Sequence, residues 1–221
     1  MLLIKKYIAE LLGTYALVLF GTGAIVVNDV TNNTITHVGI ALVFGAIVTA
    51  MIYSFGKTSG AHINPAVTIG FLLVNKINIK DATFYIVSQI VGGLLASLTL
   101  LFLFPEHSGL GTTLPLDDNV SQSFILEVIL TLFLMLTIIQ VSSNKGYQDF
   151  TGLAVGLVVM LEAMFAGPIT GASMNPARSI APALVSGQTQ YLWVYIAAPI
   201  LGAVLAIGIW KYLSSSSSSE K

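Results

Sequence analysis

The chain has 221 residues, 55% of them apolar and only 9% charged, with a formal net charge of −1 and a mean hydropathy of +0.88. Soluble domains average about 25% charged residues, so this composition belongs in a lipid bilayer. Several functions are excluded at once: there is no cysteine for disulfide or thiolate chemistry, the three histidines stand in no metal-ligand spacing, and no basic stripe is present to hold nucleic acid.

Six segments are long enough to cross a ~30 Å hydrocarbon core as helix. Lys5 and Lys6 precede the first, roughly Tyr7–Val27. Its length exceeds the ~7–15-residue core of a cleaved signal peptide, so it reads as a retained span. The next are roughly His37–Phe55, Ala82–Phe104, Ser121–Val141, Phe150–Gly167 and Tyr191–Leu213. Two apolar runs between them, Asn64–Val74 and Asn175–Val185, are too short to span. At ~1.5 Å per residue each makes about 15 Å of helix, half a membrane, and reads as re-entrant.

Both short runs open on the same pattern, SGAHINPAVT at 59–68 and TGASMNPARS at 170–179. Asn is a strong helix N-cap, and Pro suits the first helical position, where its missing N–H costs nothing. One Asn-Pro-Ala would be ordinary capping. Two, each with two spans before it and one after, make an internal repeat. Three spans per half is odd, so the second half enters inverted and the half-helices come from opposite faces. The expected fold is an all-α membrane protein with six transmembrane helices and two re-entrant half-helices. Residues 1–213 form one channel domain, with repeats at about 1–108 and 117–213. The Ser-rich tail 214–221 is low in complexity and expected to be disordered.

Charge sets the orientation. All eight lysines (Lys5, Lys6, Lys57, Lys76, Lys80, Lys145, Lys211 and Lys221) fall on one side of this arrangement, and the connections on the other side carry Asp29, Glu106, Asp117 and Asp118. The positive-inside rule therefore predicts a multi-pass protein of the cell membrane with both termini cytoplasmic. Arg178 is the one cation outside the pattern.

Irregular backbone at membrane depth is tolerated only inside protein or along a water-filled cavity. Gly60 and Gly171 permit such backbone in Ser59–Ile63 and Thr170–Met174, and the carbonyls of Gly60, Ala61, His62, Gly171, Ala172 and Ser173 would line a pore. Two half-helix N-termini meeting near the midplane, each about +0.5 charge, oppose protons and cations. Each Asn oxygen caps its own helix, which leaves the Asn64 and Asn175 amides free to donate to a passing oxygen.

The doubled motif, Asn64-Pro65-Ala66-Val67-Thr68 and Asn175-Pro176-Ala177-Arg178-Ser179, resembles the aquaporin (major intrinsic protein) family across the chain to about Leu213. The resemblance implies a passive channel for water or small neutral solutes, without cofactor or metal, normally a homotetramer with one pore per subunit. In that family an Arg after the second motif lines the outer constriction, and the other three filter positions fall on Phe44, Ala163 and Ala172. Strict water channels usually carry His where this chain has Ala163, so two alanines opposite Phe44 and Arg178 imply a wider opening. The stretch from Ala163 to Asn175 is similar to the nodulin-like intrinsic proteins and their prokaryotic relatives, known for glycerol, urea and uncharged metalloid acids. Typical glycerol facilitators have Asp where this chain has Ser179, which leaves a mainly water-selective pore as the alternative.

The remaining polar residues read as follows. Glu10 and Glu127 hold matching places in the two halves. A buried carboxylate needs donors, so each is expected to accept from an irregular loop, as the family also implies. A proton relay has no chain of titratable groups to carry it. Glu162 sits about 100° round its helix from Ala163, off the pore wall, and either anchors the second loop or shapes the outer mouth. His62 offers its carbonyl while its ring packs beside the loop, and His37 and His107 read as solvated surface. The glycines of the spans, Gly21 among them, read as close packing in lipid. A coupled secondary transporter is the competing class, since inverted repeats and broken helices build those too, but the half-helix tips here carry amides in place of ion-coupling carboxylates. An ion channel lacks an acidic ring to offset the converging dipoles, and an enzyme lacks any nucleophile–base pair.

Overall fold

The computed structural model describes residues 2–215, with side chains over 4–214. Within them lie eight α-helices: α1 (Leu2–Val30), α2 (Thr36–Ser59), α3 (Pro65–Leu73), α4 (Ile79–Leu103), α5 (Val120–Ser143), α6 (Thr151–Thr170), α7 (Pro176–Ser186) and α8 (Val194–Ser215). Six are long and apolar enough to cross a membrane; α3 and α7 are the half-helices. Several spans run past their apolar stretches because polar residues extend or cap them. Lys6 pairs with Asp81 at 2.6 Å, and the Asn78 and Asn119 side chains accept from Asp81 N and Gln122 N to start α4 and α5. Ser59 and Thr170 close α2 and α6, so the irregular stretches are only 60–63 and 171–174, each opened by a left-handed glycine cap (Gly60 φ 87°, Gly171 φ 80°). Ser214 and Ser215 of the Ser-rich tail continue α8; residues 216–221 lie outside the described residues.

The halves repeat in their packing. α1 packs on α2 and α4 as α5 packs on α6 and α8, and α2 against α6 joins the halves. Each half-helix leans on the other half: α3 on α8, α7 on α4. Glycines set the closest crossings in symmetric pairs. A Cβ on Gly92 would overlap the Leu11 carbonyl, and one on Gly202 the Val128 carbonyl. At the central crossing, a Cβ on Gly45 would sit 2.6 Å from the Gly156 carbonyl, and one on Gly156 would lie 2.6 Å from the Gly45 carbonyl and overlap Thr49 Oγ1. Without a hydrophobic drive between helices in lipid, such close packing is a main source of association. Gly156→Val is therefore expected to cost about 1–3 kcal/mol or more through overpacking. The check is melting in detergent, with Gly208→Ala, whose added Cβ meets nothing within 4 Å, expected to leave the transition in place.

Candidate functional site

Two buried carboxylates shape the loops. Glu10, fully buried on α1, accepts from Ser59 Oγ (2.6 Å), His62 N (2.9 Å), Ile63 N (2.7 Å) and Gln89 Nε2 (2.8 Å). Glu127, fully buried on α5, accepts from Thr170 Oγ1, Ser173 N and Met174 N, each at 2.8 Å. Ser59 Oγ and Thr170 Oγ1 in turn accept from Ala61 N and Ala172 N. The loop N–H groups are thus drawn to the carboxylate side. The carbonyls of residues 60–62 and 171–173 receive no hydrogen bond among the described residues, and five of these six residues, all but Gly171, border one cavity. The loops achieve this with left-handed non-glycine residues, Ala61 (φ 47°), Ile63 (44°), Ala172 (41°) and Met174 (54°), a conformation costing about 1–2 kcal/mol each that surrounding bonds must hold.

At the loop ends the two asparagines meet. Asn64 Oδ1 caps α3 through Ala66 N at 2.8 Å, and Asn175 Oδ1 caps α7 through Ala177 N at 3.0 Å and Arg178 N at 3.4 Å. Each amide donates one proton across the midplane: Asn64 Nδ2 to the Met174 carbonyl and Asn175 Nδ2 to the Ile63 carbonyl, both at 2.8 Å. The amides are therefore not wholly free; an NH₂ carries two protons, and one per asparagine remains for the cavity they both border.

Toward one end the same cavity is bordered by Phe44, Ala163, Ala172 and Arg178. Arg178 is 1% exposed, and its NH1 donates to the Gly111 carbonyl at 2.7 Å. Its guanidinium carbon stands 5.2 Å from the Phe44 ring centroid, a cation–π distance. Nε and NH2 are buried without a partner among the described residues. The Gly111 carbonyl is brought there by the 104–119 connection, which presses on α1: Gly111 (φ 74°) has room for no Cβ beside Thr22.

A profile of the major intrinsic protein family matches residues 1–210. The chain belongs to that family. It is 44% identical to "Aquaporin NIP1-1" of Zea mays and 42% identical to "Nodulin-26" of Glycine max, each match covering 95% of this chain and 74% and 77% of the relative. Its fold is similar to the X-ray structure of the aquaglyceroporin from Plasmodium falciparum, with TM-score 0.82, 26% identity, and coverage of 94% of this chain and 95% of that one. This major intrinsic protein is accordingly a passive membrane channel for water and small neutral solutes.

Two histidines of the channel differ from their sequence reading. His37 is no solvated side chain: its ring Nε2 lies 2.7 Å from the Met164 carbonyl and ties α2 to α6. His107 is no loose surface group either. Its Nδ1 accepts from Gly109 N and Leu110 N, which places the ring proton on Nε2, 3.1 Å from Asp29 Oδ2. It thereby folds the turn that presents Gly111 to Arg178. The His62 ring stacks on Phe71 (centroids 4.6 Å apart) with Nδ1 3.2 Å from Thr68 Oγ1. Glu162 does not border the cavity, and its buried Oε2 has no hydrogen-bond partner among the described residues. Sequence reasoning missed Gln89 and Gly111, a lone Gln in a span and one glycine of many in a connection, because neither falls in the repeated motif.

Proposed function

We propose that this channel passes glycerol-sized and other small uncharged solutes as well as water, with Asn64 and Asn175 at the central constriction and Phe44, Ala163, Ala172 and Arg178 as its outer filter. The observation that carries this reading is the filter's composition. The side chains that Ala163 and Ala172 bring to the cavity are only methyl groups, opposite one aromatic face and one guanidinium with two spare donors. A polyol can lay its carbon side on Phe44 and the two methyls and its hydroxyls toward Arg178. The likeness to a protein described as an aquaglyceroporin supports the same solute class. Ser179, which stands where glycerol facilitators carry Asp, is buried behind the second loop, bonded to Ser173 Oγ at 2.6 Å and Thr113 Oγ1 at 2.8 Å, and does not border the cavity. That difference therefore leaves the lumen itself unchanged.

Protons and ions are excluded by the two half-helix N-termini at the midplane and by the fixed Arg178 charge. The lysine distribution supports a cell-membrane protein with both termini cytoplasmic and the Arg178 end outward. Exposed apolar rows such as Leu153, Leu157, Leu161 and Phe165 on α6 suit lipid or the neighbouring subunits of a homotetramer.

Stopped-flow light scattering on proteoliposomes tests the reading. Water, glycerol, urea and a neutral metalloid acid are expected all to pass, without saturation and without current. Fast water flux with glycerol excluded would replace it by a water-selective pore. Ala163→His is expected to cut glycerol flux about tenfold, the effect of some 1.4 kcal/mol on a barrier, and water flux much less. Equal changes in both would mean that Ala163 is not in the filter.

A further inference from the structure

Phe44 needs a place to stand, and the geometry points to Gly21 as the residue that sets it: the missing side chain on α1 holds the Phe44 ring back from the lumen and so fixes the aperture of the filter. Gly21 is buried on α1, one helical turn beyond Leu17, which borders the cavity. A Cβ built on Gly21 would overlap the Phe44 ring, reaching 2.6 Å from Cδ1 and 2.7 Å from Cζ, closer than real Cβ contacts. The Arg178 guanidinium carbon lies 5.2 Å from the centroid of the same ring, and Phe44 and Arg178 both border the cavity. With backbone behind and a buried cation beside it, a ring displaced by a methyl group moves into the lumen.

The inverted repeat shows that this glycine is matched to the aromatic. Counted from the paired carboxylates Glu10 and Glu127, the counterparts of Leu17 and Gly21 in α5 are Leu134 and Ile138. Counted from the paired glycines Gly45 and Gly156, the counterpart of Phe44 is Val155. Ile138 and Val155 both border the cavity. At the corresponding depth toward the other end, one half thus places two medium side chains, where the first half has the smallest residue and an aromatic. Other glycines of the same helix do other things. Gly23 faces only Leu100 of α4, at 3.2 Å, away from the pore.

The inference rests on the filter placement proposed above, and the test separates the two. Water and glycerol fluxes are measured per channel in proteoliposomes for wild type, Gly21→Ala, Gly23→Ala, Phe44→Ala and the double variant Gly21→Ala/Phe44→Leu. Gly21→Ala is expected to lower the glycerol-to-water ratio about tenfold, as some 1.4 kcal/mol added to the glycerol barrier would. Gly23→Ala should keep the wild-type ratio, and Phe44→Leu should restore it in the Gly21→Ala background, since the shorter side chain no longer reaches the lumen. A packing defect alone would lower both fluxes and would not be rescued at Phe44. A wild-type ratio in Gly21→Ala, with a changed ratio in Phe44→Ala, overturns the role of Gly21. An unchanged ratio in both overturns the filter placement and this inference with it.

Discussion

Glu10→Ala is expected to abolish transport, and Glu127→Ala to do the same. Removing the Glu10 carboxylate orphans the N–H groups of His62 and Ile63 and the Ser59 hydroxyl proton, and leaves the Gln89 amide with Thr68 Oγ1 alone. A buried donor left unpaired costs about 1–3 kcal/mol. The two backbone groups have no other acceptor within the loop, and Ile63 loses the bond that holds it left-handed. The cost is a large part of a total stability of about 5–15 kcal/mol. It falls on four residues, so the expected outcome is a helix bundle that still assembles around a collapsed loop. Flux in proteoliposomes should fall below about a tenth of wild type, the change that some 1.4 kcal/mol makes to a barrier. Glu10→Gln, which keeps one acceptor oxygen but turns an NH₂ toward an N–H, should fall between. Because the two carboxylates hold related loops, the two alanine variants should match each other. Wild-type flux in either would show that the loop keeps its shape without its anchor.

Arg178→Val is expected to admit cations and to weaken discrimination among neutral solutes. A fixed charge roughly 6 Å from an entering cation, at an effective dielectric of about 20, opposes it by about 3 kcal/mol, on the order of a hundredfold in occupancy. Valine removes that repulsion and also the cation packed on Phe44, so the aperture widens. The half-helix dipoles at the midplane stay, so the leak should be partial. Proton-driven dye quenching in liposomes, read beside glycerol flux, measures both effects. An unchanged proton permeability would assign the whole electrostatic barrier to the Asn64–Asn175 region.

Much of this arrangement is legible in the sequence. The half-helix starts could be read from Asn64-Pro65 and Asn175-Pro176 because capping and proline geometry are local properties. The spans could be read because hydropathy is summed over some 20 residues. Their ends could not, since polar residues such as Lys6 and Asn78 extend or cap helices without adding hydropathy. The left-handed alanines and the isoleucine and methionine beside them were not legible either. Nothing in Ile63 or Met174 prefers that conformation; it is imposed by a carboxylate 53 or 47 positions away in the chain. The partner of Arg178 was hidden for the same reason, because a backbone carbonyl leaves no trace in residue type.

The two hydrogen bonds that the Asn64 and Asn175 amides donate between the loops also order the birth of the channel. They join residues 110 and 112 positions apart in the chain. Translation at about 5–20 residues per second leaves the first asparagine waiting roughly 5–20 s for its acceptor. The first loop can already close on Glu10, Ser59 and Gln89, all within the first half. Its pore-facing wall has no opposite side until α5 to α7 arrive. The cavity draws its lining from both halves, so its wall is complete only once Asn175 and Arg178 have been made.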